Sequence, residues 1–128
     1  MQCYRKLRVE AKAHSLATQT RRITYSFPRN RFGSLSGQMV RAAESVLFNI
    51  VEGCGANSSK EFARYLEISC KSTMELECQL ALARDYGIIA TETFSELNDL
   101  VIRIRRMLWS LRRKVLAKTA EHPPTQNR

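Results

Sequence analysis

The chain has 128 residues, 44% of them hydrophobic, and its 21 Lys and Arg against 12 Asp and Glu give a net charge of +9. This length and apolar content predict one globular domain with a basic surface and exclude a largely disordered chain. The uninterrupted apolar runs are only three or four residues long, which excludes a transmembrane helix and predicts a protein with no membrane partner.

Helix-breaking residues at 28–33, 53–58 and 87–91 divide the sequence into four pieces. Apolar residues recur at alternating spacings of three and four in the first, third and fourth pieces, which predicts helices that pack as bundles do. Because the loops are short, successive helices must be antiparallel, so we expect an all-α, up-down-up-down four-helix bundle over 1–119. The predicted helices are about 4–27, 34–52, 59–86 and 92–118, followed by a disordered tail at 120–128.

Capping residues support these boundaries. Ser58 and Glu61 fit a capping box at the start of the third helix. Gly53 and Gly87 are expected just after the ends of the second and third helices, where a left-handed backbone favours glycine.

The second helix carries apolar residues over about half of its circumference, which predicts that it is the most buried of the four. Its polar residues form one line on the remaining face, and we expect Glu75 of the third helix to meet Arg41 across the bundle. Such a line faces either water or a polar partner, as a buried network or a binding groove. The line consists of Gln38, Arg41, Ser45, Asn49 and Glu52.

Residues typical of catalysis are sparse. The two histidines, His14 and His122, have no carboxylate at metal-ligand spacing, and no Glu-x-x-His pair of a di-metal bundle occurs. Glu75 and Glu77 are interpreted as a solvated face or an ion pair and not as a catalytic dyad. We therefore expect no enzyme activity, no metal and no cofactor.

The four cysteines are Cys3, Cys54, Cys70 and Cys78, with no Cys-x-x-Cys pair. Because no signal peptide precedes them, we expect reduced thiols in a cytoplasmic protein. Cys54, in a glycine loop, is the expected exposed thiol, whereas Cys70 and Cys78 are expected in the core or an interface.

Positive charge is concentrated at the two ends of the chain. Residues 1–31 carry a net +7 and residues 91–128 a net +4, whereas 32–90 carry −2. The first and last helices are neighbours in the predicted bundle, so their cations can form one surface that binds RNA or another polyanion through phosphates. The alternative is that the charge serves solubility alone. The candidate nucleic-acid-binding residues are Arg8, Lys12, Arg22, Arg103, Arg105, Arg106, Arg112, Arg113 and Lys114.

A second apolar stripe on the fourth helix consists of Ile102, Trp109 and Leu116, displaced from the core positions by about a third of a turn. It predicts either an interface with another copy of the chain or a wide core face with Trp109 at its edge.

The sequence also resembles a known family of four-helix-bundle proteins, the 23S rRNA intervening-sequence proteins, over roughly 4–115. The resemblance lies in Phe27-Pro28, Arg31-Phe32-Gly33, Leu35, Gln38, Arg41-Ala42-Ala43, Ser45, Asn49-Ile50, Glu52-Gly53, Ser59-Lys60-Glu61-Phe62, Leu66 and Ser72 to Gln79. It implies an antiparallel bundle that assembles as a ring-like homopentamer without known enzymatic activity. The family is similar to the accessory variability protein of diversity-generating retroelements, a basic pentamer that binds a reverse transcriptase and nucleic acid.

Charge and resemblance together lead to one expectation and one alternative. The expectation is a non-enzymatic, self-associating bundle that binds RNA or a ribonucleoprotein partner through its basic surface. The alternative is a protein-interaction scaffold or the reverse-transcriptase accessory protein of a diversity-generating retroelement.

Overall fold

A computed structural model describes residues 7–121, with side chains as far as Lys118. The described chain is an all-α four-helix bundle, as the sequence predicts, with α1 at Arg8–Thr24, α2 at Arg29–Cys54, α3 at Ser59–Asp85 and α4 at Thr91–Glu121. In this part of the chain α1 packs on α2 and α4, and α3 packs on the same two helices, so α1 and α3 lie diagonally opposite. None of the four described helices combines the length and apolar character that a membrane span requires.

The most buried helix is α3, and the prediction that this would be α2 is wrong. Eleven residues of α3 are buried against seven of α2. The reason is the bundle geometry, because α3 lies between two long helices, whereas α2 has the 17-residue α1 on one side. Small polar residues add to the burial of α3: Ser69, Ser72 and Thr73 all lie inside.

The helix boundaries differ from the predicted ones mainly at the start of α2. This helix begins at Arg29, where the sequence predicts residue 34, and it bends at Phe32, whose φ of −127° and ψ of 15° are not helical. Arg29 and Arg31 therefore belong to α2 and not to a loop beside α1. The predicted start near residue 4 lies outside the described residues, as does most of the predicted tail, although α4 continues to Glu121.

The glycine and capping predictions are partly confirmed. Gly87 has a φ of +77°, and the Ser58 hydroxyl accepts a hydrogen bond from the Glu61 amide at 3.1 Å while the Glu61 carboxylate accepts from the Asn57 amide at 3.0 Å. The prediction for Gly53 is wrong, since this residue lies inside α2. A Cβ there would come within 2.8 Å of the Phe62 ring, so the glycine allows α2 and α3 to approach closely.

Candidate nucleic-acid interface

Seven of the nine candidate cations lie on the adjoining outer sides of α1 and α4. Consecutive helical residues are rotated by about 100°, and Arg105 contacts α3, so Arg103 faces the opposite flank of α4, toward α1. On α1, Arg21 lines a groove with α2, which directs Arg22 toward α4. We call this surface the α1–α4 face, and its cations are Arg8, Lys12, Arg22, Arg103, Arg106, Arg113 and Lys114.

The cations of the α1–α4 face are available to a ligand. All are exposed except the half-buried Lys12, and none forms an ion pair with a described carboxylate. Two acids, Glu96 and Asp99, line a depression of the same surface beside Arg103 and Arg106. Because α1 and α4 are antiparallel, the excess charge lies toward the start of α1 and the later turns of α4.

Arg105 does not belong to the α1–α4 face, which corrects the sequence-based assignment. Its guanidinium donates hydrogen bonds to the Thr73 hydroxyl at 2.9 Å, to the Thr73 carbonyl at 3.4 Å and to the Glu77 carboxylate. The side chain is therefore half-buried between α3 and α4 and neutralised there. The sequence signal for this role was the Thr73 and Glu77 spacing of one turn on α3, which places both on the side toward α4.

Arg112 is likewise separated from the other cations. Its guanidinium lies over the Trp109 ring, 5.2 Å from the centroid, and it lines a groove between α3 and α4 with Glu67 and Leu116. Its Nε is buried without a hydrogen-bond partner among the described residues. Each residue of an α-helix is rotated by about 100° from the one before it, so Arg105 and Arg112, seven residues apart, share this flank of α4. Arg113 is rotated away from it.

Cys70 of α3 is buried near the flank of α4 that carries Arg105 and Arg112. Desolvation raises the pKa of the Cys70 thiol to about 11, with Arg105 and Arg112 acting in the opposite direction. The thiol is therefore protonated at neutral pH. The expectation of an exposed Cys54 is wrong, because that residue is buried in the last turn of α2. Among the cysteines of residues 7–121 the exposed one is Cys78 of α3, which corrects its expected place in the core or an interface.

The polar line of α2 contributes only its middle to a network. Ser45 shares a hydrogen bond of 2.8 Å with Ser72 of α3, and the Asn49 amide donates to the Ser45 carbonyl at 2.8 Å and to its hydroxyl at 3.0 Å. Gln38 instead bonds to Ser34 at the surface, and Glu52 is exposed. The middle of the line thus joins α2 to α3, and its first three residues also line a depression with Glu75 of α3.

The expected ion pair between Arg41 and Glu75 is absent from the described structure. The two side chains line the same depression, together with Gln38, Ala42 and Ser45, but lie beyond the 4.0 Å of an ion pair. Arg41 instead reaches back along its own helix, where its Nη1 would lie 3.4 Å from a Cβ at Gly37.

The stripe of Ile102, Trp109 and Leu116 lies on the outer side of α4. Leu116 is half-buried and packs against the core, so it follows the wide-core interpretation. Trp109 keeps 36% of its surface exposed, and Ile102 is half-buried beside Arg103. Trp109 is therefore the most exposed residue of the stripe.

A second group of arginines, which the sequence did not predict as nucleic-acid-binding residues, lines the groove between α1 and α2. Arg21, Arg29 and Arg41 lie there with the exposed ring of Tyr25. Sequence reasoning assigned Arg29 to a loop and Arg41 to a polar line on one helix, so it did not bring the three together. The rotation between Arg21 and Arg22 was the signal that could have separated the two groups.

The residues considered for catalysis or metal binding are dispersed. His14 is exposed and lies 3.7 Å from the Glu10 carboxylate one turn earlier, so the expectation of no neighbouring carboxylate is wrong for this histidine. His122 lies outside the described residues. Within residues 7–121, no three His, Cys, Asp or Glu side chains come together as the ligands of a metal ion do.

Comparison with known proteins identifies the family of this bundle. No curated protein matches the chain. A solved structure that is similar to it is that of a protein of unknown function from the S23 ribosomal protein family of Bacteroides thetaiotaomicron VPI-5482, with 26% identity and a TM-score of 0.75. The similarity covers 81% of this chain and 97% of that one. The family model described as 23S rRNA-intervening sequence protein matches residues 5–110. The chain therefore belongs to the 23S rRNA-intervening sequence protein family.

Proposed function

We propose that this protein is a non-enzymatic, self-associating helical bundle that binds RNA through the α1–α4 face. The observation that carries the proposal is the gathering of seven cations on two adjoining helices, none of them paired with a described carboxylate. Unpaired cations on one surface attract the phosphates of a nucleic acid, and their binding releases the counterions condensed on those phosphates. Binding is therefore favoured without recognition of the base sequence.

The arrangement of the remaining charge supports a located site over a merely soluble surface. Arg105 is neutralised by Glu77, and the groove that contains Arg112 also contains Glu61 and Glu67. The flank of α4 toward α3 is therefore mixed in sign, whereas the α1–α4 face keeps a positive excess. A surface that served solubility alone would not require this segregation.

Self-association is part of the same proposal and is supported by Trp109. A partly exposed indole on a helix of a small soluble bundle is a common feature of contacts between proteins. The stripe lies beside the α1–α4 face on α4, so copies joined there would bring several cationic surfaces into one particle. The resemblance to ring-forming bundles suggests five copies.

Charge reversal with a matched control tests the RNA-binding proposal. The face variant carries Arg103→Glu, Arg106→Glu and Arg113→Glu, and the control carries Lys60→Glu, Arg64→Glu and Lys71→Glu on exposed positions of α3. Each variant lowers the net charge from +9 to +3. The family name refers to a ribosomal RNA sequence, so a structured RNA hairpin is the probe in a filter-binding titration.

The expected result is that the face variant loses about tenfold or more in affinity while the control loses less than about threefold. Equal losses would mean that total charge and not the α1–α4 face determines binding. No binding by the unmodified protein at low salt would contradict the proposal altogether.

A further inference from the structure

We propose that the groove between α1 and α2 binds the phosphate of a nucleotide, with the base stacked on Tyr25. The groove encloses about 560 Å3, within the range of small-molecule sites. It lies on the opposite flank of α1 from the α1–α4 face, so this site is separate from the proposed RNA surface. Its lining includes Arg21, Tyr25, Arg29, Gly33, Arg41 and Glu44.

The three arginines are the first step of the argument. Arg21 comes from the last turn of α1, Arg29 from the first turn of α2 and Arg41 from three turns further along α2. None of their guanidinium groups forms an ion pair or hydrogen bond with the described part of the chain. Three unpaired cations that share one concave surface repel one another, and an anion bound between them removes this cost.

The only acid of the lining is Glu44, which leaves a net charge of +2 in the groove. Guanidinium groups bind the oxygens of phosphates and of carboxylates through paired, planar hydrogen bonds, and the net charge of +2 favours the more highly charged phosphate. The shape of the cluster thus fits a phosphate-bearing ligand.

Two glycines open the floor of the groove. A Cβ at Gly33 would meet nothing within 4 Å, so the backbone there is accessible to a ligand. At Gly37 a Cβ would lie 3.4 Å from the Arg41 Nη1, which is an ordinary van der Waals contact. The Arg41 guanidinium therefore lies close to the backbone of Gly37.

Tyr25 is the second step of the argument and favours a nucleotide over inorganic phosphate. Its ring is 79% exposed and stands at the edge of the groove, just after the end of α1. An aromatic ring this exposed beside unpaired arginines matches the pairing of stacking surface and cation that binds single nucleotides and nucleic-acid strands. The hydroxyls of Thr24 and Ser36 already donate to backbone carbonyls, so recognition rests on the arginines and the ring.

The nucleotide phosphate that the groove is proposed to bind can belong to a free nucleotide or to the end of a single RNA strand. Isothermal titration of the full chain with inorganic phosphate, AMP and a 5′-phosphorylated five-nucleotide RNA distinguishes them. Because RNA is also proposed to bind the α1–α4 face, the oligonucleotide is compared with AMP in the Arg103→Glu, Arg106→Glu and Arg113→Glu variant. In that variant, equal affinity identifies a free nucleotide, and tighter oligonucleotide binding identifies a strand. In both cases AMP is expected to bind at least threefold more tightly than inorganic phosphate.

Variants locate the site. Arg21→Gln with Arg41→Gln is expected to weaken AMP binding at least tenfold, and Tyr25→Ala is expected to remove the preference for AMP over phosphate. The control, Arg64→Gln with Lys71→Gln, carries the same charge change on α3 and is expected to change AMP affinity less than twofold. Circular dichroism verifies that each variant is folded, and a conservative Arg21→Lys with Arg41→Lys variant should retain part of the affinity.

Three outcomes would overturn this inference: no AMP binding at millimolar concentration, equal loss in the control, or AMP affinity unchanged in the Arg21 and Arg41 variant. The hairpin titration of the proposed function is independent of these results. The Arg21→Gln and Arg41→Gln variant should bind the RNA hairpin within about threefold of the unmodified protein, so failure of one proposal is distinguishable from failure of the other.

Discussion

Arg105 of α4 donates a hydrogen bond to the carboxylate of Glu77 on α3, and the same guanidinium holds the Thr73 hydroxyl at 2.9 Å. A cation in one of the two basic segments of the chain therefore joins two helices instead of facing solvent. The next residue, Arg106, is exposed on the α1–α4 face. Of these two neighbours, Arg105 has a structural role and Arg106 belongs to the surface that we propose binds RNA.

Arg105→Ala should reduce the free energy of unfolding by about 1–2 kcal/mol, since it removes a partly screened ion pair and leaves the Thr73 groups without their donor. Arg106→Ala, the control on an exposed position, should change stability by less than about 0.5 kcal/mol. Urea unfolding measures both. In RNA binding the order should reverse, with Arg106→Ala the weaker binder; a larger binding defect in Arg105→Ala would contradict the assignment.

Gly53→Ala should destabilise the bundle by about 1–3 kcal/mol, because the added Cβ would lie 2.8 Å from Phe62 and 3.1 Å from Tyr65. Gly33→Ala is the matched control on the same helix, where a Cβ meets nothing within 4 Å, and it should stabilise by about 0.5–1 kcal/mol. Thermal and urea unfolding give both values. If the Gly53→Ala variant were as stable as the Gly33→Ala variant, the inference that Gly53 allows α2 and α3 to approach closely would be contradicted.

Gly53 and Ser58 illustrate what the sequence predicts about the fold. A capping box depends on residues three apart in the chain, so Ser58 and Glu61 could be recognised from local spacing alone. The role of Gly53 depends on Phe62, a residue of the next helix whose position exists only after packing. The order and number of helices follow from periodicity, whereas the bend at Phe32 and the start of α2 at Arg29 leave no signal in the periodicity.

The candidate site shows the same division. Segment charge correctly selects α1 and α4 as the basic helices, because net charge is a sum over sequence. Assigning each arginine to a flank requires the identity of its neighbours: Glu77 removes Arg105 from the surface, and Trp109 covers Arg112. The groove with Arg21 and Arg41 was not predicted, since it joins residues of two helices whose packing the sequence pattern does not specify.

Alkylation should distinguish the two cysteines of α3. Burial raises the pKa of Cys70 to about 11, so at pH 8 its thiolate fraction is about one in a thousand, and the side chain is also inaccessible. Cys78 is exposed and should react with iodoacetamide. Trypsin cuts between them at Lys71, so mass spectrometry of 65–71 and 72–84 reads each site separately.

The raised pKa of Cys70 also sets the direction of a pH effect. Its ordinary value is 9.0, so below pH 9 the thiol is protonated in both states and the contribution to stability is complete. Between pH 9 and about 11 the unfolded chain loses the proton first, and stability falls. Urea unfolding between pH 8 and 11 measures this loss of stability, and Cys70→Ala should remove part of it. In the alkylation experiment, modification of Cys70 as fast as Cys78 at pH 8 would contradict the burial of Cys70.

Trp109→Glu should lower the mass of the protein in solution, because a carboxylate would be placed in the proposed apolar contact between copies. Light scattering coupled to size exclusion measures the mass, and Tyr86→Glu serves as a control on another exposed aromatic residue. The unmodified protein is expected at about five times the 14.7 kDa chain mass, as the family resemblance implies. A single-chain mass for the unmodified protein would rule out self-association.

The salt dependence of RNA binding tests the central claim most directly. Removing one contact between a cation and a phosphate should reduce the slope of the logarithm of the binding constant against the logarithm of salt concentration by about 0.7–0.9. The Arg103→Glu, Arg106→Glu and Arg113→Glu variant should therefore bind a structured hairpin with a slope shallower by about 2–3 than that of the unmodified protein. The variant of Lys60, Arg64 and Lys71 should keep the original slope. Identical slopes for the two variants, or binding by the unmodified protein that does not respond to salt, would contradict RNA binding through the α1–α4 face.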